Sequence, residues 1–110
     1  MSLIASKGEY AAIAGAGTTQ ATATEMPAYM VRVTSSSGNG SGVILPPMNR
    51  GEVAIVCNAI TGASAIDLKV YPRSGGSING ATADSHLLLP ATMAASFRAV
   101  DGAGNVIATF

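Results

Sequence analysis

Two stretches of strict alternation set the character of this chain. In Val53–Asn58, Val53, Ile55 and Cys57 alternate with Ala54, Val56 and Asn58. In Ile66–Tyr71, Ile66, Leu68 and Val70 alternate with Asp67, Lys69 and Tyr71. Period two with β-branched residues in one set predicts half-buried strands, with Val53, Ile55 and Cys57 facing inward. The joining segment, residues 58–65 with Gly62 inside it, predicts a hairpin with a longer loop. Pro72 ends the second strand, because proline has no N–H for a continuing ladder. Ile78-Asn79-Gly80 carries a dipeptide suited to the two positive φ angles of a type I′ turn.

The same reading extends along the chain. Tyr29, Val31 and Val33 mark one face of a strand over residues 29–34, and Ser35–Gly42 is a low-complexity loop with nothing to bury. Val43–Pro46 is a short strand, residues 47–51 a turn, and His86–Pro90 a short buried run. Met93, Ala95, Phe97 and Ala99 form the inward set of a strand over residues 93–100. Asp101–Asn105 is a hairpin turn leading into a last strand that ends at Phe110. Short strands separated by turn signals every 8 to 15 residues or so predict an all-β fold. The expected form is a small antiparallel β-sandwich or barrel, jelly-roll-like, over residues 28–110. Residues 1–27 read as an extended N-terminal arm. Gly15 and Gly17 break the alanine run as a helix, and Thr/Ala alternation suits extended chain. Its few large apolar residues are Leu3, Ile4, Tyr10, Ile13 and Met26, expected to add little to the chain's own core, and Leu3, Ile4, Tyr10 and Ile13 are the candidates for contact with a neighbour. Deleting residues 1–25 is expected to leave a folded domain that assembles poorly.

Leu45-Pro46, Gly51, Val53, Ile55, Asn58, Val70-Tyr71-Pro72, Gly75-Gly76 and Ile78-Asn79-Gly80, followed by a late aromatic strand at Phe97, resemble a module of tailed-bacteriophage virion proteins. The resemblance covers residues 43–110 and includes head-decoration, tail and fibre components. Such modules often close on a Trp, whereas this chain ends on Phe110 and has none. The resemblance implies a structural virion protein, a capsid decoration (cement) protein that stabilises the head shell. It further implies a homotrimer, contacts with the major capsid protein, and a virion location after synthesis in the host cytoplasm. The alternative it leaves open is a tail-fibre or baseplate module that binds a host glycan.

Composition changes the picture in one respect. Charged residues are 11% of the chain, against roughly 25% in ordinary domains, and the formal net charge is zero. A solitary small domain usually carries interspersed charge and a net charge away from zero, so this surface is expected both to be rich in Ser, Thr, Gly and Ala and to be covered in large part by other subunits. Six scattered Lys and Arg give no electrostatic footprint for nucleic acid, and no apolar run nears the ~18 residues of a membrane span. The first seven residues lack the basic region and apolar core of a signal peptide. One cysteine excludes an internal disulfide.

Candidate chemistry is sparse. His86 stands alone beside Leu87-Leu88-Leu89, as a packed or rim residue does. Cys57, in the expected inward set, reads as a small buried hydrophobe; one Cys and one His make no zinc site and carry no nucleophile motif. Glu52, Asp84 and Asp101 fall at strand ends or turns, where carboxylates cap backbone N–H groups. The Gly-rich pieces at Gly15–Gly17 and Gly38–Gly40 lack the strand-to-helix setting of a phosphate loop. Neither catalytic residues, metal ligands nor cofactor is expected.

Overall fold

The computed structural model describes residues 6–110, with side chains from residue 11 onward. The strands are β1 (Ser6–Gly15), β2 (Thr24–Glu25), β3 (Ala28–Ser36), β4 (Gly42–Ile44), β5 (Val53–Asn58), β6 (Leu68–Tyr71), β7 (Leu87–Leu89), β8 (Ala94–Ala99) and β9 (Val106–Thr109). Among the described residues there is no α-helix, only a 3-10 turn at Gly62–Ser64. The strands form a five-stranded sheet, β1-β3-β5-β8-β9, and a four-stranded sheet, β2-β4-β6-β7.

From β1 to β6 the chain alternates between the two sheets. β1, β3 and β5 lie side by side and parallel in one; β2, β4 and β6 do the same in the other. Parallel neighbours need a long crossover, and here each crossover contains a strand of the opposite sheet. β7, β8 and β9 then reverse direction against β6, β5 and β8. The sheets are therefore mixed, where antiparallel pairing was expected, and neither closes into a barrel. The anticipated hairpin between residues 53–58 and 66–71 is also absent: β5 and β6 belong to different sheets. Alternation records which side chains share a face; it carries no information on strand direction or partner.

One apolar cluster draws on both sheets, with Val31, Val33, Val56 and Phe97 from one and Val43, Leu68, Val70 and Leu89 from the other, all fully buried. On β5 the inward set is Ala54, Val56 and Asn58; Val53, Ile55 and Cys57 are half-buried on the opposite face. This reverses the expected facing and moves Cys57 out of the core. The cause is the neighbouring strand: Ala54 stands opposite Phe97 and Val56 opposite Ala95, so large and small side chains alternate across the pair and fill the layer. Tyr29, Val31, Val33, Ala95, Phe97 and Ala99 face inward as expected, but Met93 precedes β8 and is exposed.

Asn58 is the buried exception, fully enclosed and fully bonded. Its Nδ2 donates to the Ile66 and Leu89 carbonyls at 2.8 and 2.9 Å, and its Oδ1 accepts from Ile60 N–H at 3.3 Å. Its backbone pairs with Met93 and Thr92. The side chain thus joins the end of β5 to β7 and to the segment before β6, and the backbone joins it to the turn before β8. Ser41, expected in a loop with nothing to bury, is also enclosed; its hydroxyl donates to the Gly38 carbonyl at 2.6 Å.

The segment expected to reach a neighbour lies, over Ser6–Gly15, against β3 of its own chain. Residues after it are pinned as well. Tyr71 donates its hydroxyl to the Thr18 carbonyl at 3.1 Å, and Gln20 Nε2 donates to the Pro72 carbonyl at 2.8 Å. Ala23 packs with Ile44 and Tyr71 in a second small cluster, and Met26 enters the main core.

Candidate functional site

The two ends of the five-stranded sheet are built differently. Along β9, Ser77–Asn79 runs as a short parallel piece: Val106 N–H donates to the Ser77 carbonyl and Asn79 N–H to the Val106 carbonyl, each at 2.9 Å. Asn79 Oδ1 then accepts from Ala108 N–H at 2.8 Å, so a side chain supplies the acceptor that another strand would have offered. Asn79 can do this because it turns there, with φ 55° followed by 74° at Gly80 and a bond from Ala81 N–H to the Ile78 carbonyl. That is the turn expected at residues 78–80. The piece is held close by Gly76, where a Cβ would lie 2.1 Å from the Gly104 carbonyl oxygen. Ser77 also donates its hydroxyl to Asn105 Oδ1 at 3.0 Å.

Along β1 the outer edge is open over its middle. The Gly15 carbonyl accepts from Ser37 N–H at 3.1 Å and the Ile13 carbonyl from Thr34 Oγ1 at 3.5 Å, so both face β3. Successive residues of a strand turn their backbone groups to opposite sides, so Ala12 and Ala14 face away. The Ala14 carbonyl accepts from Thr24 Oγ1 at 2.8 Å. Among the described residues no strand lies on this edge, and none bonds the outward N–H and C=O of Ala12. Tyr10–Ile13 runs in unbroken register with Met30–Val33, flanked by irregularities on both sides.

Of the candidate assembly residues, Leu3 and Ile4 lie outside the described residues. Tyr10 stands in register with Met30, its side chain outside the description. Ile13 packs, partly buried, against the chain's own core. The outer face beside β1 carries Met30, 39% exposed, and, on β9, Ile107, 52% exposed, with Val53 and Ile55 half-buried between them. Sequence reasoning treated Asn79 as turn chemistry alone and missed its second role. The signal was present in part: a turn asparagine beside a segment with no partner of its own.

A cleft of about 440 Å³ opens at the end of the sheets, over Leu45, Pro46 and Val106, with Tyr29, Glu52 and Arg73 at its sides. Tyr29, Glu52 and Arg73 are engaged within the fold. The Tyr29 hydroxyl stands 2.7 Å from the Pro47 carbonyl and 3.2 Å from Glu52 Oε1, which also accepts from Asn49 N–H at 2.7 Å. Arg73 Nη1 bonds Glu25 at 3.1 Å and the Leu45 carbonyl at 3.4 Å. His86 lies exposed with its ring edge-on to Tyr71, centroids 5.5 Å apart. Desolvation, and then the Lys69 charge, hold its pKa below the ordinary imidazole range. Asp101 accepts from Asn105 Nδ2 and Ala103 N–H, each at 2.8 Å, and these bonds hold its carboxyl below the usual range. Among the described residues no three His, Cys, Asp or Glu come together as metal ligands, and no helix is long and apolar enough to cross a membrane.

No protein family, curated protein or solved structure matches the chain.

Proposed function

We propose that the chain is a structural virion protein of a tailed phage, a capsid decoration protein that acts by adhesion to copies of itself and to the head shell. The observation that carries this reading is the open edge of β1, on a chain with so little charge, beside an outer face that exposes Met30 and Ile107 among Arg32 and Arg98. Unpaired strand edges are sites of strand addition, and natural proteins normally cover or charge them. The sequence resemblance over residues 43–110 points the same way. Within this reading the two sheets stack as a jelly-roll-like sandwich, which leaves the outer face of the five-stranded sheet for neighbours. Many modest contacts, repeated over a shell, sum to tight attachment. Mixing the purified chain with undecorated phage heads and pelleting them tests the role: the chain should co-sediment at saturable stoichiometry. A chain that stays in the supernatant with every tailed-phage head tried is not a decoration protein.

A second reading, a tail-fibre or baseplate module that binds a host glycan, is favoured by one feature, the end cleft with Tyr29 and Arg73 beside an apolar floor. A glycan array distinguishes it: selective binding that Arg73→Ala abolishes would move the function to the cleft.

A further inference from the structure

We infer that two copies of the chain pair through β1, antiparallel, about a twofold axis at Ala12, joining their five-stranded sheets into one continuous sheet. This deepens the assembly reading, and replaces the trimer implied by the resemblance with a twofold pair.

The argument begins from which edges remain. β9 is sealed by Ser77–Asn79 and by the Asn79 side chain on Ala108. Head-to-tail addition of β1 to β9, which would build a ring or a filament, is therefore barred at β9. The outer strands of the other sheet, β2 and β7, are two and three residues long, too short to seat a partner strand. β1, with ten residues, is left to pair with its own kind. An interface in which one patch meets the same patch closes on a twofold axis and stops at two copies, and strands related by such an axis through the sheet run antiparallel.

The register follows from the pleat. An axis through the sheet keeps both outer faces on one side, so residues facing each other must share a face. The axis then passes through a residue, never between two. Ala12 lies in the regular run Tyr10–Ile13, and its N–H and C=O face outward. With the axis there, the two Ala12 residues exchange both N–H···O bonds. Tyr10 of one copy stands opposite Ala14 of the other, and Ala11 opposite Ile13. Shifting the axis to Ala11 would set Glu9 opposite Ile13, a carboxylate against an apolar residue. The small alanines let the two edges approach closely.

The test uses the full chain in four forms. Wild type should sediment as a dimer. Ala12→Pro removes an N–H that no described residue uses and should sediment as a monomer with its melting temperature within about 4 °C of wild type. In a Cys57→Ser background, Ala12→Cys should give a covalent dimer with a short bifunctional thiol reagent, since facing Cα atoms would stand about 5.5 Å apart. Thr34→Cys, exposed on β3, should not. A wild type that sediments as a monomer or trimer overturns the inference, as does an Ala12→Pro chain that remains a dimer. If Ala12→Pro fails to fold, the crosslink decides, and its absence at Ala12 is the overturning result. An intact dimer that ignores phage heads would sink the decoration role and leave the pairing standing.

Discussion

The two edges of the five-stranded sheet pose one physical problem and answer it in opposite ways. Both β1 and β9 end a sheet, and both carry outward N–H and C=O groups. β9 is closed by a device that depends on particular residues: a positive-φ asparagine whose amide oxygen mimics a strand carbonyl, held in place by a glycine that tolerates a neighbouring backbone. β1 has Thr24 Oγ1 at Ala14 and otherwise, among the described residues, no cover. Closing an edge takes specific chemistry, and the chain supplies it on one side only. The proposed pairing through β1 rests on this difference.

The comparison can be broken at its foundation or at either edge. Phe97→Ala has the largest expected effect. Phe97 is fully buried on β8, between the edges, and its loss should cost about 3 to 5 kcal/mol. An unchanged thermal midpoint would mean that the core is wrongly placed and both edges with it. Asn58→Ala should follow at about 3 kcal/mol, because it leaves the Ile66 and Leu89 carbonyls and the Ile60 N–H buried without partners. Chemical denaturation of this variant and of Asn58→Asp would show whether the amide, and not mere polarity, is required. Asn79→Ala comes next, at about 2 kcal/mol, since it removes the acceptor for Ala108 and strains a left-handed backbone. Asn79→Gly keeps the backbone and loses only the bond, at about 1 kcal/mol. Both variants should expose β9 and self-associate beyond wild type in light scattering; if neither does, the asparagine is not a seal.

The smallest effect concerns pH. Asp101 has a lowered folded-state pKa, so its stabilisation is present above the ordinary carboxylate range and lost as pH falls through the folded value. It holds the turn that carries Asn105, the partner of Ser77 beside β9. Melting temperatures of Asp101→Ala and wild type should differ near neutral pH and converge in acid. A gap that persists in acid would show that its bonds do not depend on the charge.

Much of the strand content was legible, because period two survives wherever one face is buried. Tyr29, Val31 and Val33, and Ala95, Phe97 and Ala99, face inward as the pattern predicts, and β6 ends before Pro72. The facing of β5 was not legible. Both its sets hold apolar residues, and the choice between them was made by Phe97, which stands opposite Ala54 and far away in sequence. Strand direction was illegible for the same reason: nothing local to residues 53–71 records that β5 and β6 lie in different sheets. The place of residues 6–15 in the chain's own sheet was not legible, because small residues gave no sign of a core contact, while β1 is held by backbone bonds that need no large side chain. Of the candidate edge, sequence offered the turn at Asn79 and the extended character of residues 6–15, but not their relation as opposite ends of one sheet.

Amide hydrogen exchange at Ala12 and Ala108, followed over a dilution series, tests the central claim most directly. The two amides occupy opposite edges of one sheet. Ala108 N–H, bonded to Asn79 Oδ1, should be protected at every concentration. Ala12 N–H should exchange freely in dilute protein and gain protection as concentration rises and β1 finds its partner. Protection of Ala12 at every dilution would mean that the edge is covered within the single chain, and free exchange of Ala108 would mean that β9 is not sealed; either result contradicts the account.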